Sequence, residues 1–299
     1  MVRLFKLLSW LPLRHLRLVG SLMGLAAWLI SPKFRWQMRS NVDQANRWAE
    51  SKGLALPKDL LRVAVARSGW LVSELPAIWC RPSRWQDLSI RGLADFDAAI
   101  SKGKGVLILT PHLGAFELGP RLFARHHPIS IMYRPANYAL MESVLRAFRP
   151  SSRITMVPAN ASGIRHFIRT LRAGGVVGLL PDQVPSLGEG VWAPFLGRPA
   201  YTMSLPLRLA QMTGTQLAWA TVERAENTWT MSLQLWNSGV DLGSLRSEDD
   251  WRLAVEAMNR KIEEFIIQSP ADYLWAYNRY RNPRPIGTRS SFAEKVGHQ

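Results

Sequence analysis

The chain has 299 residues, is 47% hydrophobic, and carries a net charge of +16 from 38 Lys and Arg against 22 Asp and Glu. That length holds one large α/β domain or two small ones, with apolar content for a sizeable core. The single cysteine, Cys80, excludes an internal disulfide and a cysteine-rich metal site; it reads as a small buried residue in a reducing compartment. The basic excess says little about fold but favours anionic partners such as membranes, nucleic acid, acidic proteins or phosphorylated substrates.

Residues 1–42 contain Arg3, Lys6, Arg14, Arg17, Lys33, Arg35 and Arg39, and no acid precedes Asp43. Within them lies an apolar run of 13 residues, Leu18 to Ile30, shorter than the roughly 20 that a spanning helix needs. No small-residue cleavage pattern follows it. Trp10, Trp28 and Trp36 and the basic flanks suit a lipid interface. The expectation is a membrane-associating segment over 1–42, dipping into or barely crossing the bilayer. The alternative is a buried helix with a solvated basic rim.

Residues 43–104 read as a helical region packing on the core. Pro57-Lys58-Asp59 marks a helix start, and Pro76 should end or kink that helix. A short helix follows over Asp95 to Ile100, closed by Gly103 and Gly105. From residue 105 to 299 strands and helices alternate. Strands are predicted over Val106–Leu109, Ile129–Tyr133, Ile154–Val157 and Val176–Leu180. Helices are predicted over Phe116–Ala124, Tyr138–Phe148 and Ile164–Leu171. Such alternation implies βαβ units in a largely parallel sheet, so the fold class is α/β with flanking helices. A long Gly/Pro-rich loop covers Pro181 to Thr202. Leu205–Met212 is predicted helical, Leu217–Val222 and Thr228–Trp236 form a hairpin, and a last helix spans Glu248 to Ile267. The tail after Arg279 reads as loose.

The chemistry concentrates in Thr110-Pro111-His112-Leu113-Gly114-Ala115-Phe116-Glu117-Leu118-Gly119. Residues five apart diverge on one straight helix. His112 and Glu117 converge only if the histidine lies in a turn and the glutamate inside the next helix, and Pro111 and Gly114 favour that bend. In the functional reading His112 takes a proton from a hydroxyl, while Glu117 orients the ring and stabilises the imidazolium. In the bland reading His112 caps a helix and Glu117 sits on its solvated face. Arg134 reads either as a fork for a phosphate or as a surface ion pair. Asp182 and Gln183 directly follow the fourth strand. A carboxylate there would position an acceptor sugar or brace Arg134, or simply shape the loop.

Other features carry less. His126-His127 diverge on a helix and lack an evident metal partner. Tyr273, Trp275, Tyr277 and Tyr280 with Arg279 and Arg281 could stack on nucleic acid; the plainer reading is a packed carboxyl-terminal segment with its basic residues at the surface. Arg165, Arg169 and Arg172 form a stripe suited to an acidic carrier protein or to plain solvation.

The Pro-His-Leu-Gly-Ala-Phe-Glu-Leu-Gly block resembles the catalytic block of glycerolipid-type acyltransferases. More narrowly, the chain resembles the late (lauroyl/myristoyl) acyltransferases of bacterial lipid A biosynthesis, within the lysophospholipid acyltransferase superfamily. Three further blocks agree: Tyr133-Arg134-Pro135-Ala136-Asn137; Leu180-Pro181-Asp182-Gln183 leading to Gly188 through Ala200; and Met258-Asn259, Ile262-Glu263, then Pro270-Ala271-Asp272-Tyr273-Leu274-Trp275. The resemblance implies acyl transfer from an acyl carrier protein (or acyl-CoA) thioester to a hydroxyl of a glycolipid such as a lipid A precursor, with His112 as general base. Glu117, Arg134, Asp182 and Gln183 complete the implied site. It further implies a location on the cytoplasmic face of the inner membrane, against an anionic surface, with no nucleic-acid partner. Consistent with direct transfer, the sequence has no Gly-x-Ser-x-Gly elbow, no reactive-cysteine setting, no His-Glu-x-x-His and no Walker loop; no metal or other cofactor is called for. The family commonly carries Asn-Trp where Ala115-Phe116 stands, which leaves the acceptor open to a mannosyl-phosphoinositide or a lysophospholipid. A hydrolase, or a non-catalytic basic module binding membrane or nucleic acid, are the remaining alternatives.

Overall fold

A computed structural model describes residues 2–133 and 152–283. The amino-terminal third is helical: α1 Val2–Leu8, α2 Leu13–Ile30, α3 Pro32–Ser51, α4 Leu60–Ser68, α5 Trp70–Ser73 and α6 Leu75–Cys80. Pro76 sits in the first turn of α6, where a missing N–H costs nothing. It therefore starts α6 just past the break at Glu74 that ends α5, in line with the helix end or kink expected at this proline. The run also breaks at Gly69, which meets α2 backbone to backbone: a Cβ on Gly69 would lie 1.9 Å from the Gly20 carbonyl.

Among the described residues, seven strands form one sheet in the order β1 (Ile90–Arg91), β9 (Trp229–Trp236), β8 (Gln216–Arg224), β2 (Val106–Leu109), β5 (Val176–Leu179), β3 (Ile129–Tyr133) and β4 (Ile154–Pro158). All neighbours pair parallel except β8 with β9. The predicted α/β class therefore holds, with a mixed, mostly parallel sheet flanked by helices. Successive residues of β2 feed opposite cores. Leu107 and Leu109 face one that includes Met38, Leu60, Phe167 and Met258, while Val106 and Ile108 face one that includes Phe96, Phe123 and Trp79. A strand buried on both faces reads as an unbroken apolar run, which is why β2 and β5 were visible from sequence.

The covering helices are α7 (Leu93–Ser101), α8 (Gly119–Ala124), α9 (Ala161–Arg172), α10 (Leu205–Thr213) and α11 (Glu248–Gln268). A capping box between Ser247 and Asp250 starts α11. The segment expected as a loop over Pro181–Thr202 instead contains an antiparallel hairpin, β6 (Gly190–Phe195) and β7 (Arg198–Met203). Pro194 and Pro199 face each other across it. Two prolines argue against a strand interior, but a two-stranded ribbon has outer edges that tolerate them. The predicted helix Tyr138–Phe148, Arg134 and the tail beyond residue 283 lie outside the described residues.

Candidate active site

Leu109 and Leu179 are directly opposed, the last residues of two adjacent parallel strands. Each chain then leaves the same sheet edge, and three residues later stand His112 and Asp182. The sheet thus brings together two residues 70 positions apart. The crevice outside the carboxyl ends of parallel strands is where open α/β sheets bind ligands.

Asp182 grips His112 twice. Its Oδ2 accepts from the His112 backbone N–H at 2.9 Å, and its Oδ1 accepts from ring Nδ1 at 2.7 Å. The Asp182 side chain is 1% exposed and that of His112 15%. Burial pushes the Asp182 carboxyl up, but the His112 ring, its two hydrogen bonds and the Arg279 guanidinium outweigh this and hold it below the usual carboxylate range. With Nδ1–H donated to a carboxylate, Nε2 carries the lone pair. The Gln183 amide nitrogen lies 3.1 Å from Nε2 and donates to it. Phe116 packs edge-on against the ring at 4.9 Å.

Of the expected site residues, the structure therefore joins His112, Asp182 and Gln183. The carboxylate on the ring is Asp182; the sequence reading gave that place to Glu117 and gave Asp182 to a sugar or to Arg134. Glu117 lies half-buried in the 3-10 turn Phe116–Leu118 that leads into α8. The signal for Asp182 was present as equal offsets from two strand ends, but it needs the strand order to be read.

The His112 loop is fixed by backbone contacts. Gly114 N–H donates to the Asp272 carbonyl at 3.1 Å, Ala115 N–H to Val222 at 2.9 Å, and Leu274 N–H to His112 at 3.0 Å. Gly114 has φ +65°, and a Cβ there would sit 2.0 Å from the Val222 carbonyl oxygen, so no other residue fits. Beside this loop opens a cleft of about 210 Å³. Met23 and Ala27 of α2, Phe34, Phe116 and Leu274 supply apolar walls, and His112, Arg67, Arg224 and Asp272 its polar part.

Residues of the last sequence block act elsewhere. Asn259 donates to the Pro194 carbonyl at 2.8 Å, Glu263 accepts from Leu196 N–H at 2.5 Å, and Tyr280 donates to the Phe195 carbonyl at 3.0 Å. They staple the β6–β7 hairpin to the core. Arg279, expected at the surface, is 2% exposed and donates to Tyr201 and Thr202 of β7. Trp275 is buried at 2% and so unavailable for stacking on nucleic acid. His127 pairs with Asp97 at 2.6 Å. Arg165, Arg169 and Arg172 lie exposed on α9.

An imidazole braced by a buried carboxylate, opening on an apolar cleft next to the apolar helix α2, suits a transferase that activates a hydroxyl. The comparisons narrow this. The family of bacterial lipid A biosynthesis acyltransferases matches residues 2–282, and the chain belongs to it. It is 28% identical over 229 residues to the lipid A biosynthesis palmitoleoyltransferase of Escherichia coli K12, covering 75% of this chain and 72% of the relative. It is 26% identical over 218 residues to the lipid A biosynthesis lauroyltransferase of the same organism, covering 71% and 67%. A lipid A biosynthesis acyltransferase of Shigella flexneri also matches at 28% over 75% of this chain and 72% of the relative.

Proposed function

We propose that this acyltransferase moves a fatty acyl chain from a carrier thioester, acyl carrier protein or acyl-CoA, to a hydroxyl of a lipid A precursor. The observation that carries the mechanism is the 2.7 Å contact between His112 Nδ1 and Asp182. The acceptor hydroxyl replaces the Gln183 amide at Nε2 and gives up its proton there. Its oxygen attacks the thioester carbonyl, the tetrahedral intermediate collapses, and the C–S bond breaks. The departing thiolate takes the proton back from the imidazolium, leaving an ester and a free thiol. Asp182 holds the ring's tautomer and offsets its charge while it is protonated. Arg134 is assigned as the phosphate fork that the family resemblance implies, and the ring-orienting role expected of Glu117 passes to Asp182.

The amino-terminal helices support work at a bilayer, and we assign the enzyme to the cytoplasmic face of the inner membrane. Helix α2 is long and apolar enough to cross a membrane, by length and composition. One face, Leu13, Leu16, Arg17, Gly20 and Gly24, packs inward, while Leu18, Leu22, Leu25, Leu29 and Ile30 are exposed. Leu4, Leu7 and Trp10 continue that exposed apolar surface. Such a patch marks a lipid or protein contact.

The test is His112→Ala in purified, folded enzyme, assayed with an acyl thioester and a lipid A precursor. The rate should fall about 10²–10⁴-fold, the usual worth of a general base. An unchanged rate overturns the assignment. Mass spectrometry of the product separates an acylated glycolipid from free fatty acid, the mark of a hydrolase, and identifies any other acceptor.

A further inference from the structure

A chain of alternating charges runs from α2 to the cleft. Arg17 Nε donates to Glu74 Oε1 at 2.7 Å, and Arg224 Nε to Glu74 Oε2 at 2.9 Å. Arg224 Nη1 donates to Asp272 Oδ1 at 3.0 Å, and Arg67 Nη1 to Asp272 Oδ2 at 2.9 Å. Three guanidiniums thus bracket two carboxylates, and a net positive charge is left over. All three arginines pack over the Trp70 indole, at 5.0, 5.1 and 5.9 Å for Arg17, Arg67 and Arg224.

The two ends of this chain differ. At the inner end the carbonyls of Ala225, Glu226 and Thr228 accept from Arg17, whose side chain is 7% exposed. That guanidinium is saturated. At the outer end Arg67 donates, among the described residues, to Asp272 alone, and its side chain is 34% exposed. It lines the same cleft as His112, whose other walls are largely apolar. A guanidinium has five donors in a rigid fork, and among the described residues only one of Arg67's, on Nη1, is taken.

We propose that Arg67, with Arg224 behind it, binds a phosphate group of a substrate in the cleft beside His112. The proposal rests on the acyl-transfer reading and deepens it. An amphiphile fits the shape: hydrocarbon against Met23, Ala27 and Leu274, anion on the uncapped arginine. The unpaired charge of the network explains why an anion is wanted there, and the two carboxylates keep both arginines aimed. The phosphate belongs either to the acceptor lipid's headgroup or to the phosphopantetheine arm of the donor.

Arg67→Ala distinguishes these sources. Steady-state kinetics would compare a phosphorylated glycolipid acceptor with its dephosphorylated form, and an acyl-phosphopantetheine donor with the acyl-pantetheine thioester. The parent should prefer the phosphate-bearing member of one pair, and the variant should lose that preference. Its KM for that substrate should rise about 10–100-fold, as for a hydrogen bond to a charged group, with kcat nearly unchanged. Arg67→Lys should recover part of the loss, since it keeps the charge without the fork. A loss shared equally by phosphate-bearing and phosphate-free substrates in both pairs, or no change in any KM, overturns the proposal. If Arg67→Ala does not fold, judged by its thermal melt, Arg67→Met takes its place with the same criteria. A binding measurement separates this proposal from the reading beneath it. Dihexanoyl phosphatidic acid should bind the parent more tightly than dihexanoylglycerol, and Arg67→Ala should abolish the difference. Selective binding without acyl transfer by the parent would sink the activity and leave the site.

Discussion

His112 presents one ring nitrogen to Asp182 and the other to Gln183, so each neighbour can be altered with a separate expectation. Asp182→Asn keeps the shape but lets the amide donate toward Nδ1, favouring the tautomer with no lone pair at Nε2. The turnover rate should fall about 10²–10⁴-fold, the range of general-base loss, with the melting profile little altered. A rate within a fewfold of the parent would show that Glu117 orients the ring after all. At Gly114 the argument is steric. Gly114→Ala puts a methyl against the Val222 carbonyl at a backbone angle that disfavours it. It should destabilise the fold by at least about 1–3 kcal/mol, the cost of such strain, and displace the catalytic loop. Urea unfolding and the residual rate check both effects. A stable, fully active variant would mean that the loop is not held as described.

Among the elements, the β6–β7 hairpin shows what sequence periodicity reveals and what it hides. The strands beneath the site were legible because both their faces are buried and their residues uniformly apolar. The hairpin was not, because its Gly, Pro and aromatic residues lack a simple alternation, and because its stability comes from distant side chains. Leu196, the turn residue, takes φ +47°, and Glu263 of α11 holds its N–H. Burial lifts the Glu263 carboxyl from its ordinary 4.5 to about 7. The folded state therefore binds this proton more tightly than the unfolded chain. Stability on this account is full below pH 4.5, declines as the pH rises toward 7, and is level above. Glu263→Gln keeps an oxygen for Leu196 without the charge. It should raise stability at pH 8 by about 3–3.5 kcal/mol, from 1.36 kcal/mol per pKa unit over the rise from 4.5 to about 7, and change it little at pH 4. A gain at pH 4 equal to that at pH 8 would contradict a buried, ionising Glu263. The same burial explains why Asn259 and Glu263, which sit in a family block, belong to the scaffold and not to the reaction.

For the molecule as a whole, charge and the apolar amino terminus pointed to a lipid surface, and the exposed stripe on α2 shows where such a surface would lie. Replacing Leu22 and Leu29 by Glu removes two side chains each worth about 1.5–3 kcal/mol when buried. The variant should lose flotation with anionic liposomes while its melting point stays near the parent's; undiminished flotation would place the membrane contact elsewhere. The site was half legible. His112 announced itself through its local motif, whereas its true carboxylate partner is set by strand order, and the Arg67 network joins five separate parts of the chain, from α2 to the turn at Asp272. The glycine contacts of α2 carry one more consequence. A Cβ on Gly24 would lie 2.1 Å from the Val65 carbonyl, so α2 lies backbone to backbone on α4, the helix that carries Arg67 of the cleft. If α2 is immersed in the leaflet, that joint has no slack, and His112 stands at a set height above the hydrocarbon. The bilayer then serves as a ruler, and which hydroxyl of the acceptor reacts follows from how deep that lipid floats.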